Sequence, residues 1–166
     1  MTVITQINAG NTRSPEAQIT QALRYVASDA GILRLKIQAL RWDYAGPQRR
    51  AVNDLLADRE GDLTELFDAV ATRLRALGHR VPGGPGAYRK AGSISFEDVA
   101  SDQETRLREL RDDLVGLIAA CRTLHTLAAS VDERTADRVA GQIRALEGGV
   151  WMLSAQISRG DEHVQH

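Results

Sequence analysis

The sequence predicts an all-α protein: a four-helix bundle whose second and third helices are joined by a long crossover. Three observations carry that expectation. Ala, Leu and Arg dominate while aromatic residues make up only 4% of the 166-residue chain, a composition that suits helices better than strands. Apolar residues recur three or four positions apart over four long stretches. Glycine and proline gather between those stretches instead of within them.

The first helix opens at Ser14-Pro15-Glu16, an N-cap followed by proline at the first helical position. Ile19, Leu23, Val26, Ala30, Leu33, Ile37, Leu40 and Tyr44 mark its buried face, and Gly46-Pro47 ends it. The second helix runs from about Gln48 to Leu77 and stops at Gly78, with Leu56, Leu63, Leu66, Phe67, Val70, Leu74 and Leu77 as its stripe. Arg59 falls inside that apolar arc, which calls for a buried ion-pair partner or an inter-subunit contact. The crossover between His79 and Ser101 is glycine-rich and holds two of the four prolines; a short helix is expected near Ser95 to Ala100. A connection this long crosses the molecule or has a task of its own. The third helix starts near Asp102 and carries Leu107, Leu110, Leu114, Leu117, Ile118, Cys121 and Leu124. After a turn at Ser130 to Asp132, the fourth carries Val139, Ile143, Leu146, Val150, Leu153 and Ile157. Residues 14–158 thus read as one domain between flexible polar tails, 1–13 and 159–166. Two helical hairpins joined by one long crossover is the ferritin-like arrangement, although pattern alone leaves other four-helix connectivities open.

Bulk properties narrow the function. The net charge of −1 carries no signature of a nucleic-acid binder. A single cysteine, Cys121, excludes an internal disulfide and a cysteine-based zinc cluster. No apolar run approaches a membrane span, and MTVITQINAGNTR lacks the basic start and apolar core of a signal peptide. A cytoplasmic protein without an organic cofactor is expected.

Several landmarks occur together: Trp42 with Gly46-Pro47 shortly after it, RLRALGHR at Arg73 to Arg80, DERTAD at Asp132 to Asp137, and VWML at Val150 to Leu153. In this order and spacing the chain resembles the Dps family of mini-ferritins over about residues 18 to 158. The resemblance implies a homo-oligomeric shell of twelve bundles that takes up iron, oxidises it between paired subunits, stores it and protects the cell under stress.

It also implies where iron chemistry would stand. The family's inter-subunit centre maps onto Arg41, Asn53, Asp68 and Thr72, beside Trp42. Iron oxidation needs imidazoles and carboxylates that leave coordination positions open, and of these four only Asp68 is a good ligand. The expected reading is a degenerate ferroxidase centre, in which Arg41 of one subunit either forms two parallel hydrogen bonds to Asp68 of another or simply points to the shell surface or interior water. Whether the chain is an enzyme is therefore open. The alternatives are an active ferroxidase built on Asp68 with Asp43 or Asn53, using peroxide or oxygen, and a shell that has left iron chemistry for a structural or DNA-associated role. Co-assembly with an active paralogue would also supply the missing ligands.

Asp54, Asp58, Asp62 and Glu65 share one arc of the second helix with Asp68. Asp54 and Asp58 match acidic positions of the family's cavity, where carboxylates would nucleate a mineral; the rival reading is a solvated helix face. Asp132, Glu133 and Asp137 match a pore whose carboxylates draw cations inward, against the rival that Asp132 and Glu133 simply favour a helix start. Of the histidines, His79, His125, His163 and His166, none repeats at metal-ligand spacing, and His125 reads as structural. The tails carry few basic residues, so DNA affinity is expected to be weak or absent.

Overall fold

Each of the four apolar repeats folds as one helix. The computed structural model describes residues 14–46, 48–95 and 102–164, with side chains through 158. In chain order the helices are α1 (Pro15–Asp43), α2 (Arg49–Ala76), α3 (Pro85–Ala91), α4 (Gln103–Ala128) and α5 (Glu133–Val164), with no strand among the described residues.

Local chemistry sets the boundaries. Ser14 Oγ accepts a hydrogen bond from the Ala17 amide at 3.3 Å, and Pro15 opens α1. Gly78, at φ +80°, ends α2 in a Schellman turn. Its amide donates to Arg75 O at 3.1 Å and the His79 amide donates to Leu74 O at 2.9 Å. Helices α4 and α5 start alike: Asp102 accepts from the Thr105 amide and Asp132 from the Thr135 amide.

Gly84, also at positive φ, precedes Pro85 at the start of α3. The crossover thus holds a short helix that the sequence reading did not place, started by this Gly-Pro pair. Of the short helix expected near Ser95 to Ala100, Ser95 itself is non-helical; the rest, residues 96–100, lies outside the described residues, as does the tail 1–13. At the other end α5 continues to Val164, into the segment read as a tail.

The packing has a definite topology. Helix α1 packs on α2 and α4, and α5 packs on the same two. Asp43–Arg106 and Lys36–Asp113 pairs make α4 antiparallel to α1. Gln48–Gln156 and Arg73–Asp132 contacts make α5 antiparallel to α2. So α1 and α5 run one way, α2 and α4 the other. The start of α4 lies at the opposite end from the finish of the 28-residue α2, and the crossover must travel about 40 Å along the bundle. Leu23, Leu33, Leu56, Leu63, Leu114 and Leu124 lie in the core without exposure; truncating one such leucine to alanine typically costs about 2–5 kcal/mol.

Midway along, the crossover is tied down by Asp29 of α1. Asp29 Oδ1 accepts from the Ser93 amide at 2.7 Å and the Ile94 amide at 3.1 Å, while Oδ2 accepts from Ser93 Oγ at 3.0 Å. Asp29 is almost fully buried. Burial pushes its carboxyl above the usual carboxylate range, with Asp113 adding to the push and the three hydrogen bonds pulling back. The Phe67 ring meets Tyr88 of α3 edge-on at 6.2 Å, holding the same segment from α2.

The arginine in the apolar arc finds its partner inside the chain. Arg59 Nε lies 2.9 Å from Asp62 Oδ2, and its stem runs over Gly149 of α5, where a Cβ would come within 2.5 Å of Arg59 Cδ. The bare backbone at 149 is what makes room for a guanidinium between helices.

Two outcomes follow from the Asp29 clamp. Asp29→Ala strands two backbone donors and should lower the unfolding free energy by roughly 3 kcal/mol in urea titrations. Because the folded-state pKa is raised, the stabilising contribution is full below the ordinary 3.8 and is lost as pH rises through the raised value. Wild type should therefore lose stability relative to Asp29→Asn as pH rises from acid toward neutrality; an unchanging gap between their urea midpoints contradicts the assignment.

Candidate functional site

The four positions that the resemblance implies for a metal centre lie along two helices of one chain. Arg41 and Trp42 stand in the last turn of α1, Asn53 near the start of α2, and Asp68 and Thr72 toward its end. Asn53 and Asp68 are fifteen residues apart on one helix, about 22 Å along its axis. A single chain cannot bring them to one ion, so a centre using both sets needs two subunits. Asp68 and Thr72 are exposed, Asn53 is half-buried, and Trp42 is 81% exposed.

Arg41 does not wait unpaired. Its Nη1 donates to Oε2 of Glu60 on α2 of the same chain. Sequence reading missed Glu60: it lies nineteen positions away on a different helix, and no local spacing links the two. The pair also changes the electrostatic argument. A lone guanidinium about 4 Å from Fe²⁺ would cost roughly 4 kcal/mol per unit of charge at an effective dielectric near 20. Paired with Glu60, most of that repulsion is cancelled. Glu60 in turn is already held by a cation and is not a free carboxylate. Asp43, the other acid near the end of α1, is likewise engaged, accepting from Arg106 Nη1 at 3.0 Å. Among the described residues no three of His, Cys, Asp and Glu cluster closely enough to hold a metal ion. Cys121 is fully buried, and burial pushes its thiol up to about 12, so it is neither a ligand nor a nucleophile.

The acidic arc of α2 divides. Asp54, Asp58, Glu65 and Asp68 are exposed, whereas Asp62 is drawn inward to Arg59, and burial raises its carboxyl despite that partner. Asp54 and Asp58 are one helical turn apart and point to solvent in the single chain.

The turn before α5 divides too. Asp132 is committed to structure: it caps α5 through the Thr135 amide at 3.2 Å, accepts from Thr135 Oγ1, and accepts from Arg73 Nε of α2 at 2.5 Å. Burial opposes ionisation, but these hydrogen bonds and the Arg73 charge hold the carboxyl below its usual range. Capping, the rival reading, thus describes its geometry. Glu133 and Asp137 are exposed, but Arg134 and Arg138 are interleaved with them on the same shallow surface. His79 and His125 are half-buried at helix ends, remote from the acidic arc. The side chain of His163 and all of His166 lie outside the described residues.

Comparison with known proteins is consistent across sequence and structure. Residues 20–162 match the ferritin-like domain family. Antigen TpF1 of Treponema pallidum (strain Nichols) is 28% identical over 146 residues, covering 85% of this chain and 81% of the antigen. Its crystal structure superposes with a TM-score of 0.80 over 86% of this chain and 93% of that one. A DNA protection during starvation protein from Porphyromonas gingivalis is 24% identical over 86% of this chain and 91% of its own length. The X-ray structure of Dps from Thermosynechococcus elongatus, 18% identical, shares the fold with a TM-score of 0.82 over 89% and 95% of the two chains.

The Asp132 cap yields a check on this end of the bundle. Asp132→Ala should cost roughly 2 kcal/mol in urea denaturation at neutral pH. Its folded-state pKa is depressed, so the contribution is present above the ordinary 3.8 and disappears as pH falls through the depressed value. The gap between wild type and variant should close in acid; a gap independent of pH rules out the capping carboxylate as the cause.

Proposed function

From the premise that this chain belongs to the ferritin-like domain family, within its Dps branch, we propose that it is an iron-binding, stress-protective shell subunit whose inter-subunit ferroxidase centre is degenerate. Membership supports a role in iron storage or stress protection. The observation that carries the finer reading is the Arg41–Glu60 pair. Arg41 stands where the resemblance implies an imidazole, and its partner Glu60 is no longer a free carboxylate. Iron arriving at a subunit pair would meet one free carboxylate, Asp68, with an amide and a hydroxyl for company. That set lacks the anionic charge to hold Fe²⁺ and to stabilise Fe³⁺ as an electron leaves for oxygen or peroxide.

Assembly draws support from the surface. Trp42 and Trp151 are 81% and 73% exposed, and Met152 is 46% exposed. Side chains of this size are costly to leave in water and are what subunit contacts cover. Asp54 and Asp58 remain the candidate mineral-nucleating carboxylates and Glu133 with Asp137 the candidate pore acids, the latter tempered by their neighbouring arginines. Iron would then be bound as cargo by cavity carboxylates, with oxidation occurring slowly or on a co-assembled paralogue. Asp68, exposed and free of the ion pairs that hold Asp43 and Glu60, is the feature that favours an active-ferroxidase reading.

Two measurements separate these readings. Size-exclusion light scattering should give about twelve times the 18.1 kDa subunit; a persistent monomer or dimer removes the shell. Aerobic Fe²⁺ oxidation by wild type should stay near the buffer rate, while the triple variant Arg41→His, Asn53→His, Thr72→Glu should raise it at least about tenfold by restoring ligands. Fast oxidation by wild type that is abolished in Asp68→Ala would establish the active enzyme instead.

A further inference from the structure

At the end of the bundle that holds the Asp132 cap, a cleft of about 420 Å³ opens between the last turns of α2 and the first turns of α5. Its size is in the range of small-molecule sites. The floor is apolar: Leu23 from α1, Ala69, Val70 and Ala76 from α2, and Val139 from α5. The rim is cationic, formed by Arg73, Arg134 and Arg138 with the Thr72 hydroxyl beside them, and no carboxylate lines it. Arg73 spends its Nε on Asp132, which fixes the guanidinium plane and leaves its terminal nitrogens as donors. Arg134 and Arg138 are exposed and make no ion pair among the described residues. Glu133 and Asp137 stand on the far side of that arginine row and do not enter the cleft.

The placement of the two free arginines is the informative point. They lie in the first two turns of a 32-residue helix, whose own field disfavours a cation at Arg134 but fades before Arg138. Neither makes an ion pair among the described residues, and an anion seated in the cleft would relieve their mutual repulsion and that between Arg134 and the helix start. We propose that this cleft binds a small organic oxyanion: a carboxylate or phosphomonoester carried on a short apolar body. The guanidiniums would grip the head by paired hydrogen bonds, and the accessible Ala69 and Ala76, backed by the buried Leu23, Val70 and Val139, would take the body. This inference does not depend on iron chemistry.

The test is calorimetric titration of the full-length protein with phenyl phosphate and, separately, inorganic phosphate. Phenyl phosphate should saturate at one site per subunit and bind at least about tenfold more tightly than inorganic phosphate. The Arg134→Ala, Arg138→Ala double variant should weaken phenyl phosphate by at least about tenfold. Both residues are exposed, so circular dichroism should show an intact fold. Ala69→Phe, which fills the floor and keeps every arginine, should lose the preference for phenyl phosphate while inorganic phosphate still binds. Equal affinity for the two ligands, or wild-type binding by either variant, overturns the proposal. So does a gel shift of duplex DNA that vanishes in the double variant while phenyl phosphate gives no saturable heat, since the arginines would then read a polyanion on an open face.

Discussion

The arrangement of the bundle depends on the crossover being held along its side, and one buried carboxylate does most of the holding. Because α2 finishes at the opposite end from the start of α4, the connecting chain must pass from one end of the bundle to the other, and its described part packs on α1. A segment in that position has backbone donors that turn away from water and need partners. Asp29 supplies them, accepting from two consecutive amides and a hydroxyl. The cost is a carboxylate in a poorly solvated place, visible in its raised pKa. With the crossover fastened, α4 starts beside the end of α1, and the pairs Asp43–Arg106 and Lys36–Asp113 fall into register.

That register places the chemistry. Arg41 and Asp68 end up at different heights on the bundle, so a metal centre of the family's kind belongs to a pair of chains. Within one chain the Arg41 guanidinium turns to Glu60. On the proposed reading, a cation and the acid that neutralises it form a closed unit where a metal centre would need open coordination. A part-exposed pair of this kind adds little to stability, and its consequence lies in which groups remain free to bind iron.

Charge is organised differently at the two ends. Near the end of α1, acids and bases are matched across helices, as in Arg41–Glu60 and Asp43–Arg106. At the start of α5, Asp132 is absorbed into capping and into Arg73, while Arg134 and Arg138 border the apolar cleft with Glu133 and Asp137 beside them. Acidic residues read as a pore from their order in the chain are therefore unequal in space: one is structural, and two share their surface with arginines.

The sequence by itself determined the four long helices, their starts at Ser14, Asp102 and Asp132 and the stop at Gly78, because caps and apolar spacing act within a turn or two of chain. It also pointed to the family, and the resemblance implied a weak ligand set, since Arg, Asn and Thr are poor iron ligands wherever they stand. Tertiary structure alone decided that Glu60 answers Arg41, that Gly149 makes space for Arg59 and that Asp29 clamps Ser93 and Ile94. It alone brought Arg73 to Arg134 and Arg138 around a cleft. Each of these joins residues from separate elements, and their meeting depends on register and crossing geometry that no local pattern encodes.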